Sequence, residues 1–120
     1  MQPGQYDIRC RRGDRLIRTF EYTDTATGDP IPLTGYVVRA QVRKVPTDKA
    51  PALDMDNGDK GGLTITAATG TIVLEVSATD MAAITLTSGV YDLELVPPTG
   101  EDDVFTLLEG RWLMDLEVTR

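Results

Sequence analysis

Residues 36–43 read Tyr36-Val37-Val38-Arg39-Ala40-Gln41-Val42-Arg43, and the fold turns on how this stretch is read. The even positions Tyr36, Val38, Ala40 and Val42 are apolar, while Arg39, Gln41 and Arg43 between them are polar. Successive strand side chains point to opposite faces, so this alternation predicts a strand with one core face and one basic, solvated face. The rhythm returns in Ile72, Leu74 and Val76, set against Thr71, Glu75 and Ser77. It returns again in Tyr91, Leu93 and Leu95, set against Asp92 and Glu94. The terminal stretch VFTLLEGRWLMDLEVTR gives the longest candidate strand, with Leu108, Gly110, Trp112, Met114, Leu116 and Val118 alternating with Glu109, Arg111, Leu113, Asp115, Glu117 and Thr119. Gly110 inside that pattern marks a bulge or a close backbone approach.

Working outward, Tyr6–Arg11 and Leu16–Thr23 read as two further strands around Gly13-Asp14, although Arg18 interrupts the apolar face of Leu16, Phe20 and Tyr22. TATGDP (25–30) and PPTGED (97–102) carry turn residues, and ATG (68–70) reads as a tight hairpin between 63–67 and 71–77. A short helical turn is expected near 79–84, capped by Ser77 or Thr79. Residues 46–62, PTDKAPALDMDNGDKGG, read as a long irregular loop rich in Pro, Gly and Asp. No internal repeat or linker divides the chain, so residues 1–120 are expected to form a single domain. About seven short strands in such a domain predict an all-β fold, a single antiparallel β-sandwich, with a small barrel as the alternative.

Composition narrows the chemistry. The 120 residues contain no histidine, which excludes imidazole as base, shuttle or metal ligand. The lone cysteine, Cys10, forbids an internal disulfide and any multi-cysteine metal site. No stretch approaches the about 18 consecutive apolar residues of a membrane helix, and MQPGQYDIRC lacks the apolar core of a signal peptide. The net charge of −7 divides unevenly: residues 1–45 hold eight basic and five acidic groups (+3), and residues 46–120 hold four basic and fourteen acidic (−10). That asymmetry either forms oppositely charged patches suited to assembly or is averaged away when folding interleaves the two halves.

Asp54, Asp56 and Asp59 around Gly58 could offer oxygen ligands to calcium. Counting from Asp54, however, the sixth and twelfth positions are Asp59 and Ile65 rather than the glycine and glutamate of a calcium loop, so no metal is assigned. Carboxylate pairs such as Glu101-Asp102-Asp103 are abundant but carry no mark of the raised pKa a catalytic acid needs. Ser77 and Ser88 have no histidine to activate them, and no phosphate-cradling glycine loop occurs. No catalytic or cofactor-binding residue is therefore assigned, and the protein is expected not to be an enzyme. The arginines at 9, 11, 12, 15 and 18 lack an aromatic ladder, and the pI is near 4.4, so nucleic acid is not expected as a partner. Interface contacts and cross-strand ion pairs remain equal readings for them. Trp112 reads as a core anchor before an interface hot spot, and Cys10, alternating with Ile8, reads as a small core residue.

Several segments taken together carry a resemblance. They are RRGD (11–14), GDPIPLTGYVVRAQVRK (28–44), TGTIVLEVSATDMAAI (69–84), SGVYDLEL (88–95) and LLEGRWLMDLEVTR (107–120). Their succession resembles the small β-sandwich proteins of tailed-bacteriophage virions, especially the immunoglobulin-like N-terminal domain of baseplate upper proteins. The resemblance implies an immunoglobulin-like sandwich and a virion structural protein: a non-enzymatic adaptor or anchor of the tail, baseplate or fibre attachment region. It implies other virion proteins as partners, a homo-oligomer in a symmetric assembly, no membrane, and localisation in the virion after synthesis in the host bacterial cytoplasm. Baseplate proteins continue into a further partner-binding region, so a chain ending at Arg120 is expected to be a stand-alone component. The expected interface residues are Arg9, Arg11, Arg12, Arg39, Arg43 and Lys44, together with the 46–62 loop. The alternatives are a capsid decoration protein and a carbohydrate- or receptor-binding module.

Overall fold

Nine strands and one short helix run through residues 4–116, the part of the chain that the computed structural model describes. They are β1 (Gly4–Gln5), β2 (Ile8–Arg11), β3 (Leu16–Glu21), β4 (Val37–Arg43), β5 (Leu53–Asp56), β6 (Leu63–Thr66), β7 (Thr71–Val76), α1 (Ala78–Ala83), β8 (Ser88–Val96) and β9 (Phe105–Asp115). The larger sheet has the order β9-β8-β4-β5, with β1 and β2 lying one after the other along the outer edge of β9. The smaller sheet has the order β3-β7-β6. This division, with β5 extending the larger sheet, is that of an immunoglobulin-like sandwich. The chain lacks the markers of antibody domains: it has one cysteine, and its tryptophan lies on β9 rather than on a central strand equivalent to β4.

Alternation converts directly into burial. Val38, Ala40 and Val42 of β4, Ile72, Leu74 and Val76 of β7, and Tyr91, Leu93 and Leu95 of β8 all face the space between the sheets. Trp112 and Met114 of β9 join them, so Trp112 is a core residue. Ser77 caps α1 by accepting a hydrogen bond from the Asp80 amide at 3.2 Å, and Met81 and Ile84 turn into the core. Burying this apolar surface is the main force holding the two sheets together.

Several expectations need correction. There are nine strands rather than about seven, and the sandwich is not wholly antiparallel, because β1 and β2 pair parallel with β9. The 46–62 segment is not a single irregular loop. It contains β5, whose Met55 is buried while Asp54 and Asp56 pair across from Gln41 and Arg39. Four residues between Pro, Gly and Asp clusters are too short for composition to reveal, and only pairing with β4 makes them a strand. The helix runs 78–83, and Leu116 follows the end of β9 with 53% exposure instead of sharing its core face. Val118, also assigned to that face, lies outside the described residues, as do Glu117 and Thr119. The strands flanking Gly13-Asp14 belong to different sheets, β2 to the larger and β3 to the smaller.

Gly110 marks a close backbone approach. A Cβ there would collide with the Tyr6 carbonyl, which lies across β9 at the break between β1 and β2. That carbonyl turns inward to accept a hydrogen bond from the Tyr91 hydroxyl. The Asp7 carboxylate takes its place in the ladder, accepting the Arg111 amide at 2.9 Å. The bulge in the β8–β9 pair lies elsewhere, between Leu93 and Glu94, where Leu107 is the extra residue.

Candidate interaction surface

The outer face of the larger sheet is built by the outward positions of the alternating strands, odd-numbered in β4 and β9 and even-numbered in β5 and β8. Register then sorts these side chains into rows. Asp54, Gln41, Asp92, Glu109 and Gln5 lie side by side across β5, β4, β8, β9 and β1. Asp56, Arg39, Glu94 and Thr106 form the row on one side, and Arg43, Val90 and Arg111 the row on the other. An acidic row therefore runs between two rows that contain arginine.

Two shallow concavities of about 500 and 450 Å³ open on this face and share Gln41 and Asp92. Arg43, Glu109 and Arg111 border the first, and Arg39, Asp54 and Lys60 the second. Burial pushes the Asp92 carboxyl above its ordinary pKa. Neighbouring Glu94 and Glu109 push the same way, while Arg43 and Arg39 oppose them. Arg39 Nε donates to Glu94 at 2.7 Å and its Nη1 to Glu101 at 2.9 Å, which raises the guanidinium pKa further. Asp54 accepts from Lys60 Nζ at 2.8 Å, and this bond holds its carboxyl below the usual range. The result is a polar trough of fixed, alternating charge on a rigid sheet.

The six expected interface residues do not converge. Arg9 and Arg11 lie on β2 and Arg39 and Arg43 on β4, with β9 and β8 between the two strands. Arg12 is engaged internally: its Nη2 donates to the carbonyls of Thr85 at 2.8 Å and Leu86 at 3.2 Å, tying the segment after α1 to the end of β2. Arg43 donates to the Asp48 carbonyl and to the Gln41 side chain. Arg11 and Lys44 are exposed, and Arg9 approaches Asp115 at 3.5 Å with 71% of its side chain exposed.

The expected basic face of β4 is thus a mixed one, because Glu94 on β8 and Glu101 pair with Arg39, and Asp54 and Asp56 of β5 stand opposite Gln41 and Arg39. Among the described residues, four of the five ion pairs join the basic and acidic halves of the chain: Arg9–Asp115, Arg15–Glu75, Arg39–Glu94 and Arg39–Glu101. The fifth is Lys60–Asp54. Folding interleaves the two halves. Sequence reading missed Asp92, Glu94, Glu109 and Arg111 as surface determinants, although each is a polar position set against the core face of a strand it had identified.

Part of the acidic loop at 54–59 is engaged within the chain. Asp56 Oδ1 accepts the amides of Gly58 at 2.8 Å and Lys60 at 3.0 Å, and Asn57 Oδ1 accepts the Val38 amide at 3.2 Å. Among the described residues, no cluster of three or more His, Cys, Asp or Glu side chains is placed to hold a metal ion. Burial pushes the Cys10 thiol up to about 11, against the pull of Arg18, so it stays protonated at neutral pH. Of the seven aromatic residues Tyr6 alone is exposed, at 41%, and its ring stacks edge-on against Phe20 with centroids 5.5 Å apart.

No protein-family model and no curated protein matches the sequence. Among solved structures, the chain is similar to the NK cell receptor Nkp44, a triggering partner in natural cytotoxicity. The TM-score is 0.49 and the identity 10%, over 98% of this chain and 100% of that one.

Proposed function

We propose that this protein is a non-enzymatic assembly module: a virion structural protein of a tailed bacteriophage, serving as adaptor or anchor where the tail, baseplate or fibre is attached. The observation that carries the reading is the outer face of the larger sheet, where rows of charged side chains set by the strand register surround two shallow concavities. Such a face suits docking to a partner of complementary charge pattern, where charged rows set register and orientation more than raw affinity. Resemblance to the immunoglobulin-like domains of baseplate upper proteins supplies the virion setting, since fold alone does not decide function.

The test is incorporation into particles. Tailed-phage virions purified from a producing bacterium are expected to contain the wild-type chain. A double variant, Arg43→Glu with Lys44→Glu, is expected to be lost from them while keeping its far-UV circular dichroism. Arg39 is left intact because a glutamate there would face Glu94 and Glu101 and unsettle the sheet. Absence of the wild-type chain from particles would overturn the virion reading. Normal incorporation of the double variant would remove this part of the face from the contact.

A further inference from the structure

The sandwich has four lateral strand edges, and three of them are closed to further pairing by local devices. Strand β5 is four residues long, carries Asp54 and Asp56, and has its Asp56 amide bonded to the Gly61 carbonyl at 3.0 Å. Strand β6 is also only four residues. The β1–β2 edge is broken at Tyr6 and Asp7 into strands of two and four residues. Short length, charge and breaks of this kind are how proteins keep sheet edges from pairing.

Strand β3 differs. It is six residues long, unbroken, and among the described residues pairs on one side only, with β7. The Tyr22 amide bonds to the Gly70 carbonyl at 2.8 Å, which fixes the phase of the ladder. Antiparallel ladders alternate, so Leu16, Arg18 and Phe20 direct their backbone groups at β7. Ile17, Thr19 and Glu21 direct theirs away from the sheet. Their side chains lie on the outer face, where Ile17 is 38% exposed. Arg18 Nη1 donates to the Ile17 carbonyl at 2.9 Å, which leaves that oxygen a second lone pair.

We propose that β3 is the docking edge for a second copy of this chain, two β3 strands pairing antiparallel about a twofold axis to join two three-stranded sheets into one. Charge selects the occupant and its direction. Arg15 stands at one end of the strand and Glu21 at the other, so an antiparallel copy sets basic end beside acidic end, whereas a parallel copy would set like beside like. Arg15 already holds Glu75 at 2.7 Å from an exposed position and can reach Glu21 of the second copy as well. Ile17 and Thr19, both β-branched, supply the cross-strand contacts on the outer face. The contact is isologous and closes as a dimer. It deepens the assembly role proposed above, on which it rests only for its purpose.

Sedimentation of the isolated chain as a function of concentration tests this. The expected mass is twice the 13.1 kDa of the chain. Thr19→Pro removes one outward amide without touching the β7 ladder and is expected to weaken self-association about tenfold or more. Thr19→Lys, which opposes two ammonium groups at the edge, is expected to do the same. In the wild-type chain, hydrogen exchange at the Ile17, Thr19 and Glu21 amides is expected to slow as concentration rises. A monomer at every concentration, or a dimer in which these amides stay in fast exchange, would overturn the pairing. Neither result bears on particle incorporation through the larger sheet, so the two proposals fail separately.

Discussion

Strands β8 and β9 present two opposite regions from the same backbone, and the contrast between those regions carries most of what this molecule does. On the inner side Tyr91, Leu93 and Leu95 meet Trp112 and Met114 in the core. On the outer side Asp92, Glu94, Glu109 and Arg111 form parts of charged rows. The inner side is held by burial, which is non-directional, so its energy follows how much apolar surface leaves water. The outer side depends on cross-strand partners, each contributing little in solvent but together fixing which charge stands where. One side makes the sandwich, and the other is the face proposed to meet a partner.

The inner side should break first. Trp112→Ala removes the largest fully buried side chain and is expected to cost about 4 kcal/mol in urea denaturation. Trp112→Phe should cost clearly less, because the indole Nε1 has no hydrogen-bond partner to lose. Equal costs for the two would show that the indole nitrogen matters in a way its surroundings do not explain. Gly110→Val tests the seam between the two sides by driving a side chain into the Tyr6 carbonyl. It is expected to cost about 2 kcal/mol and to speed exchange of the Tyr6 amide, which bonds to the Glu109 carbonyl at 3.0 Å, leaving the β3–β7–β6 sheet unchanged. A uniform rise in exchange across both sheets would place the strain elsewhere.

The smallest effect lies on the outer face and has the opposite sign. The folded-state pKa of Asp92 is raised, so ionising it is harder in the fold than in the unfolded chain. Its charge therefore weakens the fold above that raised pKa, and the burden is relieved as pH falls through it. Asp92→Asn is expected to raise the melting midpoint by roughly 2 °C at pH 7, with the gain vanishing in acid. A loss of stability at pH 7 would mean that Arg39 and Arg43 outweigh burial and the neighbouring glutamates at this position.

Legibility in the sequence followed the strength of the alternation. Strands β4, β7, β8 and β9 could be read because each has three or more apolar side chains at period two. Strand β5 could not, since four residues among Pro, Gly and Asp show no rhythm until β4 supplies a partner. The break between β1 and β2 left one trace, Gly110, whose smallness signalled a close approach without saying to what. The candidate surface was half legible: Arg39 and Arg43 were placed on the outward face, but the pairing of Arg39 with Glu94 and Glu101 depends on residues far along the chain. Arg12 read as an exposed interface arginine and instead ties the segment after α1 to β2.

The sequence alone determined that the protein is a two-faced β-structure without imidazole chemistry or a disulfide, because periodicity and composition are local and countable. The tertiary structure decided which strands are neighbours, that the first runs parallel to the last, and that the basic and acidic halves interleave instead of forming separate patches. Those outcomes depend on register and on which edges remain unpaired, and both are set by contacts between residues far apart in the chain.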